Sequence, residues 1–431
     1  LSRRRVPRFL FDYTDGGSYA ETTLAANVDD LAAVRLDQRV LVDVSRIDTA
    51  IRLLGQKLAM PVILAPVGLG GLHARRGEVQ AWRAALDAGV AMALSTVSVC
   101  SLAEVTQGGG APPWFQLYLV RDRGANAAMI AEARAQGCPA LVLTVDLPTP
   151  GARYRDVRSS LTGAPGLAGW LHRAAQVAAR PGWAIDVGLL GGPIAMGNLT
   201  SLLGARAPLS DYLGWIARNF DASADWDSLA WVRSQWPGPL IVKGILHPDD
   251  AALAMANGAD AIVVSNHGGR QLDGALSAVR ALPAILDRLG GAIPVLADGG
   301  VRSGLDVLRY VSLGASAVLI GRPWIWGLGA RGQAGVAHVL QLLKAELDVA
   351  MALTGRTRHS PRRAPGPPAH AERPAPGHAG PGPALPRRAP SGCCRPRRVA
   401  GQRAPRAHLR GTAPAGRRPN PGWRHPHRTG I

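Results

Sequence analysis

Between residues 61 and 322 the chain alternates short apolar, β-branched runs with longer stretches in which apolar positions recur every three to four residues. Eight runs stand out, at 62–65, 91–95, 114–118, 140–145, 239–243, 261–265, 293–297 and 317–320. Short apolar runs bounded by turn residues read as buried strands, and helix-length connections between them predict parallel pairing through crossover helices. Eight such units predict an α/β fold, a closed (β/α)8 TIM barrel. An open dinucleotide-binding sheet would carry Gly-x-Gly-x-x-Gly after its first strand, and no such turn is found there.

The interval 150–238, between the fourth and fifth runs, is too long for an ordinary loop and predicts an inserted segment with structure of its own over the barrel mouth. Val336, Val339, Leu340, Leu343, Leu347 and Met351 repeat at helical spacing, and Gly355 is a natural stop for that last helix. Residues 1–355 are therefore expected to form one barrel domain. Residues 356–431 turn to Arg, Pro, Ala and Gly, with too few large apolar residues to offset the entropy of ordering, and predict a disordered tail. The same composition is what GC-rich DNA encodes when read out of frame.

Charge changes the picture only after it is localised. The formal charge is +19, but residues 361–431 hold fifteen Arg and one acidic residue, Glu372, for +14, which leaves +5 for the rest. No nucleic-acid partner is expected of the barrel, and a nucleic-acid-binding reading rests on the tail alone. Cys100, Cys138, Cys393 and Cys394 show no metal-ligand or disulfide spacing, so no metal and a reducing, cytosol-facing compartment are expected. Residues 61–72 are apolar but too short and too rich in Gly and Pro to span a bilayer. The basic start, residues 1–8, lacks a following apolar stretch and does not read as a secretion signal; the missing Met predicts a truncated start.

In a parallel barrel reactive groups collect where strands end. Ala65-Pro66-Val67-Gly68 is a backbone-rich turn able to approach a flat ring, and Ser95 closes the second run. Alternation sends Gln116 with Tyr118, and Thr144 with Asp146, to one side of their strands, where they would either meet a ligand or satisfy neighbouring loops. Lys243 ends an otherwise apolar run, which is costly unless it meets an anion or lies exposed at the strand tip. Ser265-Asn266-His267-Gly268-Gly269-Arg270 is the sharpest signal: an imidazole that titrates near neutrality stands three residues from a guanidinium fork suited to a carboxylate. Asp298-Gly299-Gly300 and Gly321-Arg322, at the last two strand ends, have the composition of a phosphate site.

These residues, together with Phe11-Asp12-Tyr13-Thr14-Asp15-Gly16-Gly17 and the run from Thr144 through Pro150-Gly151-Ala152-Arg153, resemble the FMN-dependent 2-hydroxy-acid dehydrogenase and oxidase family over about residues 7–355. The likeness is greatest to its bacterial membrane-associated L-lactate dehydrogenases. The resemblance implies oxidation of L-lactate or a similar small 2-hydroxy acid, with His267 as base, Asp146 as its orienter and Lys243 beside flavin N1 and O2. Arg153, Arg270, Tyr13 and Tyr118 would bind the substrate. Pro66, Val67, Gly68, Ser95, Gln116, Thr144, Lys243 and Ser265 would hold the FMN ring; Asp298, Gly299, Gly300, Arg302, Gly321 and Arg322 would line its ribityl phosphate. Gly68 is more typical of dehydrogenases than oxidases, so a quinone or cytochrome acceptor is expected. Residues 161–183, with Leu167, Trp170, Leu171, Arg173 and Val177, would lie on an anionic membrane, at the cytoplasmic face of a bacterial inner membrane. A homotetramer is implied as well.

Overall fold

The computed structural model describes residues 1–107, 109–162, 166–192, 194–200 and 218–358. A hairpin of β1 (Ile51–Leu53) and β2 (Gln56–Leu58) precedes eight parallel strands: β3 (Val62–Leu64), β4 (Ala91–Ser95), β5 (Trp114–Leu117), β6 (Leu141–Thr144), β7 (Leu240–Ile245), β8 (Ala261–Val264), β9 (Val295–Asp298) and β10 (Ala317–Ile320). They close into a barrel in chain order, β10 pairing with β3. All eight expected strands are present, with ends shifted by a residue or two. The expected tail falls, from residue 359 onward, outside the described residues.

Both faces of the barrel strands are buried, which is why their runs are continuously apolar rather than alternating. Val62, Leu64, Met92, Leu94, Leu141 and Leu143 belong to the layer between strands and helices, whereas Ile63, Ala91, Ala93, Trp114, Val142, Ile241, Val263, Leu296 and Leu319 fill the barrel. The hairpin was not foreseen. It adds Ile51, Leu53 and Leu58 to the interior cluster, and Trp114 Nε1 donates to Gln56 Oε1 at 3.2 Å. Its signal was the two-residue turn Leu54-Gly55, both at positive φ (45° and 80°), the geometry that suits a tight hairpin.

The last helix spans Arg322–Leu353 with a break at Arg331 and Gly332; its second half buries Val336, Leu340, Leu343, Leu347 and Met351. Gly355 follows at φ 64°, as a helix stop requires. Between β6 and β7 lie helices Tyr154–Arg158, Leu167–Ala178 and Trp226–Gln235, with a wide turn at Ala184–Leu189. On the second of these, Leu167, Trp170 and Leu171 are exposed, as are Ile185, Leu189 and Leu190 beyond it. Two of the residues expected on that face turn inward instead: Val177 packs on the core, and Arg173 donates to the Ser160 carbonyl at 2.8 Å. Residues 163–165 of the same stretch lie outside the described residues. No helix among those described is long and apolar enough to cross a membrane.

Candidate active site

Strand periodicity builds the floor of the site. Two residues beyond the interior positions Ala93, Trp114, Val142, Ile241, Val263 and Leu296 come Ser95, Gln116, Thr144, Lys243, Ser265 and Asp298, one polar layer above an apolar barrel. Lys243 is 4% exposed, so the exposed-tip alternative is excluded; its Nζ lies 3.0 Å from Asp298 Oδ2 and donates to Ser265 Oγ at 2.9 Å. Burial alone would lower the Lys243 pKa, but Asp298 and Asp146 outweigh it and hold it above the usual lysine value. Ser95 Oγ donates to Gln116 Oε1 at 3.0 Å. Gln116 Nε2, Thr144 Oγ1 and Asp298 Oδ1 are buried with no partner among the described residues, an arrangement that is costly unless a ligand supplies the missing hydrogen bonds.

A cavity of about 500 Å³ opens above that layer. Pro66, Val67, Gly68, Lys243, Asp298, Gly299, Gly300, Arg302, Gly321 and Arg322 line it, as do Tyr13, Tyr118, Arg153, His267 and Arg270. Ser95, Gln116, Ser265 and Asp146 sit behind its wall, and Thr144 borders a neighbouring cavity of about 310 Å³ that Tyr118 also lines.

His267 stands just past β8 at φ 59°, a left-handed conformation that a β-carbon makes unfavourable and that aims the imidazole into the mouth. Its backbone N–H donates to Ser265 Oγ at 3.0 Å. Nδ1 lies 2.8 Å from Asp146 Oδ1, and Nε2 faces the Tyr118 hydroxyl at 3.4 Å. Burial lowers the His267 pKa; Asp146 pulls it back up, while Lys243 and Arg270 add to the depression, so the net shift is downward and the ring is neutral near pH 7. Burial raises the Asp146 carboxyl, but the charge and hydrogen bond of His267 more than reverse this and hold it below the ordinary value. Tyr118 stacks on Phe220 at 5.0 Å, and burial and Asp146 push its phenol well up, so it stays protonated.

The loop bearing His267 is clamped by the N-terminal segment. Gly269 accepts from the Ser18 N–H, Asn27 and Asn266 exchange two amide hydrogen bonds of 2.9 Å, and Asp273 accepts from Thr22 Oγ1 and the Thr23 N–H, both at 2.8 Å. Among the described residues Arg270 hydrogen-bonds through Nη1 alone, to the carbonyls of Tyr13 (2.6 Å) and Gly16 (2.8 Å) and more distantly Thr14. Both Arg270 and Arg153 lie over the Tyr13 ring, at 5.0 and 5.7 Å. Burial and the Arg153 charge push Arg270 down to about 10 against smaller opposing effects of Tyr13, Asp156 and Tyr118, as expected of crowded cations that are incompletely matched.

A second cationic group lies along the cavity at the ends of β9 and β10. Arg322 donates to the carbonyls of Asp15, Gly268 and Gly16, and burial with Arg270 and Arg302 as neighbours lowers it to about 9. Arg302 lies 5.1 Å over the Trp326 ring. Gly300, at φ 80°, passes so close to the Asn27 carbonyl that a β-carbon there would overlap it. Gly321 caps the Arg322–Leu353 helix, whose N-terminus adds a partial positive charge.

The sequence reading missed Asp156, Leu161 and Phe220, which also line the cavity. Asp156 had a signal, three residues past Arg153 at a helix start; Phe220 had none, because only folding brings it beside Tyr118.

The FMN-dependent dehydrogenase family matches residues 2–361. Among its relatives, L-lactate dehydrogenase of Caulobacter sp. (strain K31) is 57% identical over 354 residues, covering 82% of this chain and 92% of the relative. That of Alcaligenes faecalis is 55% identical over 353 residues, with the same two coverages. Among solved structures, the monotopic membrane protein (S)-mandelate dehydrogenase superimposes with a TM-score of 0.77 at 35% identity, covering 83% of this chain and 94% of that one. A mandelate oxidase with (S)-4-hydroxymandelic acid gives 0.72 at 39% identity, with coverages of 83% and 93%. With the family matched over most of its length and relatives more than half identical, the chain belongs to the FMN-dependent dehydrogenases.

Proposed function

We propose that this chain oxidises L-lactate, or a 2-hydroxy acid of similar size, to the 2-oxo acid with FMN. The observation that carries the reading is the convergence on one cavity of a neutral, carboxylate-oriented imidazole and two guanidiniums short of an anion. The substrate carboxylate is received by Arg270 and Arg153, with the Tyr13 and Tyr118 hydroxyls beside it. His267 Nε2 takes the proton that leaves the substrate, and Asp146 stabilises the imidazolium that results. Tyr118, held protonated, donates its hydrogen bond toward the substrate.

The polar layer suits FMN. Gln116 Nε2 and Thr144 Oγ1 have unmet hydrogen-bonding capacity that a flavin's polar edge would fill, with Ser95 holding Gln116 and Ser265 holding Lys243. Lys243 brings a cation to that edge, and Pro66, Val67 and Gly68 offer a flat backbone surface. Gly299, Gly300, Arg302, Gly321 and Arg322 hold the phosphate. Asp298, an acceptor already facing Lys243, suits a ribityl hydroxyl better than the phosphate assigned to it from sequence. Bound FMN supplies the two-electron acceptor for the substrate's C–H bond.

The electrons pass on to a quinone or cytochrome at a membrane, where the exposed Leu167, Trp170, Leu171, Ile185, Leu189 and Leu190 rest on the lipid as a peripheral contact. We place this at the cytoplasmic face of a bacterial inner membrane, with the chain as a homotetramer. A bulkier acid such as mandelate is the second reading, favoured by the apolar wall of Val157, Leu161 and Phe220. Anaerobic titration tests the assignment: purified protein is yellow and bleaches with L-lactate, reduces an artificial dye, and forms little peroxide in air. Colourless protein, or a flavin that no 2-hydroxy acid bleaches, overturns it.

A further inference from the structure

Asp156 is a buried carboxylate in the cavity wall that neither the base nor the flavin cradle uses. Its side chain is 7% exposed, and its Oδ2 lies 4.0 Å from Arg153 Nη1, close enough for charge to act but too far to occupy a guanidinium hydrogen-bond donor. Oδ1 is buried with no hydrogen-bond partner among the described residues. Its backbone N–H donates to the Arg153 carbonyl at 3.1 Å, fixing it in the first turn of the helix Tyr154–Arg158. The other carboxylate that acts on it, Asp12, is matched by Arg8 at 3.1 Å. Among the described residues, Arg153 and Arg270 thus share Asp156 as their acidic neighbour, and with Asp156 ionised the three groups sum to one positive unit.

We propose that Asp156 is a specificity-determining residue that sets the clamp's charge to accept one carboxylate, so that the site prefers monoanionic 2-hydroxy acids to dianionic acids of the same size. The inference rests on the assignment of Arg153 and Arg270 to the substrate carboxylate. A monoanion brings the clamp to neutrality. A dianion brings a second negative charge into a partly buried site that Asp156 already makes less positive, and there repulsion is weakly screened. Burial holds the Asp156 carboxyl above its ordinary value, and the charges of Arg270 and Arg153 oppose that rise without reversing it. The residue acts through the field at the arginines.

The test compares pyruvate, a monoanion, with oxalate, a dianion of similar planar shape, as competitive inhibitors of L-lactate turnover by the flavin-loaded enzyme at a pH of about 7.5, where all their carboxyls are ionised. In the near-isosteric D156N variant, oxalate inhibition tightens relative to pyruvate by at least about tenfold while kcat changes only a few-fold. The charge-conserving D156E keeps the wild-type ratio, and so does D12N. An unchanged ratio in D156N, or parallel weakening of both inhibitors together with kcat, overturns the proposal. Loss of flavin by both D156N and D156S overturns it too, by assigning Asp156 to the fold. Wild-type enzyme inhibited by neither acid overturns instead the clamp on which the proposal rests.

Discussion

His267 Nδ1 and Asp146 Oδ1, 121 positions apart in the chain, lie 2.8 Å apart at the mouth of the barrel. The contact fixes the ring so that Nε2 is free to accept a proton, and it places a negative charge where an imidazolium forms. His267→Ala should keep its flavin and lose turnover by a factor on the order of 10² to 10⁴, the usual worth of a positioned base. Full-rate turnover by this variant would remove His267 from the mechanism.

The same pair sets the pH profile. The base must be neutral, so kcat/KM falls as pH drops through the His267 pKa, which lies below the ordinary histidine value. Asp146 is the main group opposing that depression; Asp146→Asn therefore moves the acid limb further down, not up, while slowing turnover. Stopped-flow reduction rates against pH measure both effects, and an upward move of the limb contradicts the assigned cause.

Arg270→Lys removes a fork whose Nη1 also holds the carbonyls of Tyr13 and Gly16. Loss of a charged hydrogen bond of about 1.5–3 kcal/mol corresponds to roughly 10- to 150-fold weaker substrate binding. The dissociation constant for pyruvate, read from the flavin spectrum, reports it; an unchanged value argues against the clamp.

A β-carbon at Gly68 would lie 2.7 Å from Val97 Cγ2. Gly68→Ala should therefore crowd the ring surface and weaken FMN retention, with overpacking costing about 1–3 kcal/mol. The double variant Gly68→Ala/Val97→Ala recovers the space and most of the affinity. Equal FMN dissociation rates for wild type and Gly68→Ala would show that the ring does not press on this turn.

Buried His73, whose Nε2 lies 2.8 Å from Thr14 Oγ1, is lowered to about 4 by burial against weaker backbone contributions. A histidine held neutral in the fold but protonated when unfolded gives stability that is complete above about 6.5 and is lost as pH falls toward 4, on the order of 3 kcal/mol in all. Melting temperature should drop through that window, and less steeply in His73→Asn. A parallel drop in both proteins assigns the acid sensitivity elsewhere.

Local pattern was enough for the eight strands, because both their faces are buried and each run stays apolar from end to end. It was also enough for the residue types at the strand ends, because a parallel barrel gathers those ends at one rim. Period-2 alternation also set Gln116 with Tyr118, and Thr144 with Asp146, on one side of their strands; the full polar layer from Ser95 to Asp298 emerged only with the barrel closed. What the chain order does not contain is distance. The pairing of His267 with Asp146, the burial of Lys243 against Asp298, the inward turn of Arg173 and Val177, and the seat of Asp156 beside two arginines depend on ring closure and on which backbone carbonyls the N-terminal segment offers. These are long-range contacts, and only tertiary structure decides them.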